Sequence, residues 1–284
     1  MPAGCAGVDI CEEGTVRVGF IGLGSMGLPM AQRIQAEGHE LTVYARRPAS
    51  LEPFAGTGAK VAGTPAELGA AVETVGICVF DAAGVEEVMF GPNGLAETLE
   101  PGAVVLVHST VAPAHIQKIA QQAATHRLRV LDAPVSGGSP RALTGELTIM
   151  VGGDAEALAD VADLMSALSN HVVHLGGIGT GSYAKLINNT LFSAQVALAD
   201  EAMKAGRSLG VDPAGLAAIL TTSSSACVAS AMLLRAGSIA ALADSPANLP
   251  LTKDVTLMAD VLGDAPGKEL VEVARRFVTA IRSS

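Results

Sequence analysis

Lys185 and Asn189 stand one helical turn apart in the segment Gly179-Thr180-Gly181-Ser182-Tyr183-Ala184-Lys185-Leu186-Ile187-Asn188-Asn189. At that spacing two side chains share a helix face, with Cβ atoms about 5–6 Å apart. The macrodipole at a helix N-terminus favours anions, so an ammonium there is misplaced and its pKa falls. Desolvation acts in the same direction. A lysine depressed in this way exchanges a proton near neutral pH. An amide beside it can orient the ammonium or hold a substrate hydroxyl. A snorkelling surface lysine has the same spacing, so the position of the ammonium decides between the two.

A second group of residues is Asp132-Ala133-Pro134-Val135-Ser136-Gly137-Gly138, which follows a strand signal. Ser136, Gly137 and Gly138 leave backbone N–H groups free to form an anion nest suited to a carboxylate; a plain turn is the other reading. Ser109-Thr110 offers hydroxyls after another strand, and Phe80-Asp81 ends a third. His108 is a further acid/base candidate at a strand end, whereas His171 and His174 read as structural.

The third group is Gly22-Leu23-Gly24-Ser25-Met26-Gly27, a G-x-G-x-x-G run. An apolar strand, Val16–Ile21, precedes it, and a helical pattern from Leu28 to Ile34 follows and stops at Gly38. Glu40–Tyr44 then reads as a second strand. In this βαβ setting the glycines serve the tight turn, the approach of a pyrophosphate and helix–strand packing. The helix N-terminus faces the phosphates, so the segment is expected to bind a dinucleotide. A NAD site places an acid at the end of the second strand. Here Tyr44-Ala45 is followed by Arg46 and Arg47. Guanidinium groups suit a 2′-phosphate, which favours NADP over NAD; a solvated surface pair is the alternative.

Strand and helix signals alternate to about residue 175. Thr74–Phe80, Ala103–Val107, Arg129–Asp132, Leu147–Val151 and His171–Leu175 read as strands, with helices at Pro113–Thr125 and Asp154–Leu168. Such alternation predicts an α/β fold, a Rossmann-type mainly parallel sheet with ligands at the carboxyl ends of its strands. From Ser182 to Leu209 there is no proline. That stretch predicts a junction helix of roughly 40 Å, buried on several sides because Leu186, Ile187, Leu191, Phe192, Val196, Leu198 and Met203 lie nearly all round it. The remainder reads as an all-α C-terminal domain with turns at Asp244-Ser245-Pro246 and Asp264–Gly267. The domains expected are 1–14 (a loose extension without the basic n-region of a signal peptide), 15–178 and 179–284.

The 284 residues are 49% hydrophobic without any Trp, and the formal net charge is −10. That charge disfavours nucleic acid or an anionic membrane as partner, and no apolar run is long enough to span a bilayer. Cys5, Cys11, Cys78 and Cys227 show no metal-ligand spacing and read as cytosolic thiols; no metal is expected.

Taken together, Gly22–Gly27, Ser109-Thr110, Asp132–Gly138 and Gly179–Asn189 resemble the β-hydroxyacid dehydrogenase family, which includes relatives of 6-phosphogluconate dehydrogenase. The resemblance runs from about Val16 to Val261. It implies reversible hydride transfer between NAD(P) and a small 3-hydroxy or 2-hydroxy acid, of the 3-hydroxyisobutyrate, tartronate semialdehyde or threonate type. Lys185 would be the general acid/base, with Asn189 beside the reacting hydroxyl. Ser136, Gly137 and Gly138 would hold the substrate carboxylate. Thr110 would line the site near the nicotinamide, with Phe80, Asp81 and the Lys253 of a Lys253-Asp254 pair at the cofactor. A cytoplasmic homodimer or homotetramer is likewise implied. Two departures are visible: Ser223–Pro250 lacks the aromatic residues that often line the family's pocket, and Arg275–Ser284 lacks its acidic tail. An imine reductase and a non-catalytic NADP-binding module are the alternatives; Lys185 disfavours both.

Overall fold

A computed structural model describes residues 16–243 and 249–282; residues 1–14, Cys5, Cys11 and the Asp244-Ser245-Pro246 turn lie outside them. The chain opens with β1 (Arg17–Ile21), α1 (Gly27–Ala36), β2 (Glu40–Tyr44), β3 (Lys60–Val61) and α2 (Pro65–Gly69). There follow β4 (Thr74–Ile77), α3 (Ala82–Phe90), β5 (Val104–Val107), α4 (Pro113–Thr125) and β6 (Arg129–Asp132). These six strands form one parallel sheet in the order β3-β2-β1-β4-β5-β6. The order reverses between β1 and β4, which puts a ligand crevice outside their carboxyl ends.

Both faces of this sheet are covered at its centre, so β4 and β5 are buried throughout rather than alternating. Phe20, Met30, Ile34, Leu106 and Leu131 fill one face. Val75, Ile77, Met89, Val105 and Ile116 fill the other. Each such side chain contributes about 1.5–3 kcal/mol on burial.

The next strands leave the parallel sheet. β7 (Val135–Ser136), α5 (Gly138–Thr144), β8 (Thr148–Val151), α6 (Ala155–Asp160), α7 (Ala162–Leu168) and β9 (His171–His174) follow in order. β7, β8 and β9 make a separate three-stranded sheet with an antiparallel β7–β8 pair. The single helix expected over Asp154–Leu168 is two, because Val161 leaves helical geometry at φ −114° and ψ 17°. The second sheet is bridged to the first where Asp132 exchanges backbone hydrogen bonds with Gly152, at 3.0 and 2.8 Å.

The junction helix α8 (Thr180–Ser208) has 29 residues. After it come α9 (Pro213–Thr222), α10 (Val228–Ala236), α11 (Ile239–Ala243), α12 (Leu249–Leu262) and α13 (Lys268–Arg282). Val196, Leu233, Val255 and Phe277 form the centre of this helical domain. Contrary to the expectation of burial all round, Ile187, Leu191 and Leu198 are 47%, 45% and 54% exposed. They form a stripe with Tyr183 on one side of α8, while its opposite side packs on α10, α12 and α13.

Candidate active site

The glycine turn between β1 and α1 is shaped by backbone proximity. Gly22 has φ +98°, and a Cβ there would overlap the Cys78 carbonyl; a Cβ on Gly27 would overlap the carbonyl of Gly22. Gly24 differs, since a Cβ there would meet no heavy atom within 4 Å. Its freedom from neighbours is the room that a pyrophosphate needs. No side chain caps α1; the Leu28 N–H is taken by the Gly24 carbonyl at 3.0 Å, which leaves the Gly27 N–H at the helix start to an anion. The residues present therefore fit a dinucleotide. Gly24→Ala is expected to melt within about 1 °C of the parent while binding NADP(H) at least about tenfold more weakly, measured by thermal unfolding and fluorescence titration.

At the end of β2, Arg46 and Arg47 are both exposed, and Arg46 lies 3.6 Å from Glu87. Phe80 lies beyond β4, not within it, and is 67% exposed. Asp81 caps α3 by accepting the Gly84 N–H at 2.9 Å. Ser109 is buried, its hydroxyl accepting the Val79 N–H at 2.9 Å, so it ties the ends of β4 and β5 together. His108 is buried against Phe20, and its Nδ1 donates to the Ala133 carbonyl at 2.8 Å. Burial pushes its pKa down to about 4. It is a neutral packed side chain rather than an acid/base.

Ser136 closes β7, and Gly137 and Gly138 follow with φ +137° and +77°, a run of positive φ that L side chains resist. Ser139 donates to the Ser25 carbonyl at 2.6 Å. The nest and the glycine turn are thereby fastened to each other.

α8 begins at the same rim. Its N-cap, Gly179, has no side chain to cap with. The buried carboxylate of Asp132 does so from the end of β6, accepting from Gly179 N at 2.7 Å and Ser182 N at 2.6 Å. Gly181 sits so close to β8 that a Cβ would overlap the Met150 carbonyl. The positive helix end is thus already matched by an anion. Lys185 owes its lowered pKa first to burial, opposed by Asp254, and then to the like charge of Lys253; the macrodipole argument from the sequence is corrected accordingly. Lys185 is half-buried, and among the described residues its ammonium has no hydrogen-bond or ion-pair partner.

Asn189 is buried and committed on both sides. It donates to Asp254 Oδ2 at 2.6 Å and accepts from Asn188 at 3.1 Å. Next along α12, Lys253 donates to the carbonyls of Phe80 at 3.0 Å and Thr110 at 2.8 Å. Its ammonium lies 5.3 Å from the centre of the Phe80 ring and 3.8 Å from Asp254. The helical domain therefore grips the ends of β4 and β5, beside the crevice between β1 and β4.

Among the described residues no group of three or more His, Cys, Asp or Glu is placed to hold a metal, and no helix is long and apolar enough to cross a membrane. Residues 17–176 match the NAD binding domain of 6-phosphogluconate dehydrogenase. Residues 179–279 match the NAD-binding region of NADP-dependent 3-hydroxyisobutyrate dehydrogenase. The L-threonate dehydrogenase of Cupriavidus necator is 40% identical over 72% of this chain and 70% of its own length.

The chain belongs to the β-hydroxyacid dehydrogenase family.

Membership makes it an NAD(P)-dependent oxidoreductase acting on CH–OH groups. A 3-hydroxyisobutyrate dehydrogenase from Salmonella typhimurium superposes with a TM-score of 0.80, at 26% identity over 95% of both chains. Another solved structure, a complex with NADP+ and 2-OPP, superposes at 0.81 over 94% of both chains at 26% identity. For this β-hydroxyacid dehydrogenase, the sequence singled out Lys185, Asn189 and the Ser136–Gly138 turn, and the structure places Asn189 against Asp254 and Ser139 against the glycine turn. Sequence reasoning missed the capping role of Asp132 and the Asn189–Asp254 bond. The DAPVSGG stretch did carry a signal for the first, since an acid at the end of a buried strand is costly to bury without partners.

Proposed function

We propose that the protein transfers a hydride reversibly between NADP(H) and a small 3-hydroxy acid or its semialdehyde, of the 3-hydroxyisobutyrate, tartronate semialdehyde or threonate type. The observation that carries this reading is the unpartnered, desolvated ammonium of Lys185 at the crevice. Burial favours the neutral amine, which suits a group that must both take and return a proton.

The nicotinamide, when bound, accepts or supplies the hydride. Ser136 and the N–H groups of Gly137 and Gly138 hold the substrate carboxylate. In oxidation the neutral Lys185 amine takes the hydroxyl proton as the carbon loses hydride and the carbonyl forms. In reduction the Lys185 ammonium polarises the carbonyl and returns that proton to its oxygen. Lys253 fixes the ends of β4 and β5, where Thr110, Phe80 and Asp81 border the cofactor. Asn189 acts beside the reacting hydroxyl through its place next to Lys185. No step requires a metal.

Arg46 and Arg47 support the preference for NADP. Arg46→Ala/Arg47→Ala is expected to raise KM for NADP by about tenfold or more and to leave KM for NAD within about twofold, since only a 2′-phosphate needs the guanidinium pair. The stripe on α8, and an α9 without a single buried residue, support self-association as a homodimer or homotetramer. Among the described residues Cys78 and Cys227 are free thiols, which supports the reading of a reducing cytoplasm. The deciding assay is a panel of small hydroxy acids, semialdehydes and cyclic imines with NADP and NAD, followed by nicotinamide absorbance. Turnover of imines alone would replace the reading with an imine reductase. Cofactor binding without any turnover would leave a binding module.

A further inference from the structure

Lys253 and Asp254 approach to 3.8 Å on α12, and Asp254 is bonded to Asn189, one turn along α8 from Lys185. Asp254 is fully buried, yet only one of its oxygens has a hydrogen-bond donor. Its Oδ1 has none among the described residues and lies 3.8 Å from Lys253. A buried carboxylate left half-satisfied is costly, and nearby cations are what offset that cost. Lys253 is held elsewhere, by the Phe80 and Thr110 carbonyls. Lys185 has no hydrogen-bonded partner at all among the described residues. Building on the function proposed above, we infer that Asp254 is a positioning residue of the same site: clamped by Asn189, it supplies the counter-charge that keeps Lys185 and Lys253 side by side in the crevice.

The charged groups acting on Lys185 are few. α12 contributes Asp254 and Lys253, while α13, though packed on α8, contributes none. Asp132, at the end of β6, is not among them, and its oxygens are both spent on the start of α8. On α8 itself the neighbours Asn188 and Asn189 are neutral amides. The relation is mutual: Asp254 holds Lys185 up against the pull of burial, and Lys185 helps to hold Asp254 down. Removing the carboxylate therefore shifts Lys185 further toward the free amine.

The direct test needs no cofactor. Only the free amine is acylated, so the rate of Lys185 modification by acetic anhydride, read by peptide mass spectrometry across pH, reports its titration. Asp254→Asn is expected to move the midpoint down by about one pH unit. An unchanged midpoint overturns the inference. Should Asp254→Asn fail to fold, Asn189→Ala replaces it. Asp254 stripped of its donor protonates more readily, so the Lys185 midpoint must again fall, and a fixed one is equally fatal. In the loaded enzyme, the acid limb of oxidation and the alkaline limb of reduction are both expected to move to lower pH in Asp254→Asn. A uniform loss of rate at every pH, without movement of either limb, marks a structural role only and rejects the assignment. Failure of the functional reading looks different: Lys185→Met would then retain turnover, whatever Asp254→Asn does to the acylation midpoint.

Discussion

Lys185→Met is expected to lower kcat by about 10²–10⁴-fold, the range that a positioned acid/base contributes. Methionine keeps the length and apolar stem of the side chain, so packing within α8 is retained. The glycine turn is formed by β1, α1 and the Cys78 carbonyl, whereas Lys185 stands on α8. The Kd for NADP(H) should therefore stay within about threefold, a pattern that isolates the chemical step. Lys185→Arg is informative beside it. Guanidinium does not deprotonate in proteins, so oxidation should fail as completely as with methionine, although a charge is present. Steady-state rates in both directions, with cofactor titrations, check both variants. Turnover of Lys185→Met within about tenfold of the parent would remove Lys185 from the reaction.

The second large effect is expected at Asp132. Asp132→Ala strips the acceptors from two buried N–H groups, those of Gly179 and Ser182. Each unsatisfied donor costs about 1–3 kcal/mol. A total of about 3 kcal/mol lowers the melting temperature by roughly 6–12 °C in a chain of this size. Activity should fall further than stability explains, because the freed turn carries Lys185 less than two turns along. Asp132→Asn keeps one acceptor and sets an NH₂ group against a backbone donor, so it should fall between the two. Calorimetry together with kcat measured well below the transition tests this. A melting temperature within about 1 °C of the parent would show that the cap contributes nothing.

What the chain discloses before folding depends on how far apart the interacting residues lie. The βαβ start was legible because strand, glycine run and helix are contiguous. α8 was legible to within two residues at its start and one at its end, since no proline interrupts it and the flanking glycines mark its beginning. β3 was not, being two exposed residues without an apolar pattern. Residues 147–151 and 171–175 show strand patterns whether they extend one sheet or build another, and only the pairing of β8 with β7 and β9 settles that. The outward stripe on α8 looked like core because hydropathy does not say which side a neighbour takes. Around the candidate site, Lys185 and Asn189 could be paired from their local spacing alone. The partners that define their chemistry could not: Asp132 is 47 residues from Gly179, and Asp254 is 65 from Asn189. No periodicity connects residues at those separations.

The stretches matched by the two family descriptions meet between residues 176 and 179, yet the molecule has no mechanical seam there. Asp132, from the first stretch, holds the opening turn of the second, and Gly181 is pressed too closely against Met150 to accept any side chain. A chimera joined at that point from two relatives inherits an acid and its recipient turn from different lineages. Transplanting whole halves thus disturbs the opening turn of α8 that leads to Lys185, whereas a graft that exchanges only the loop after β2 leaves it intact.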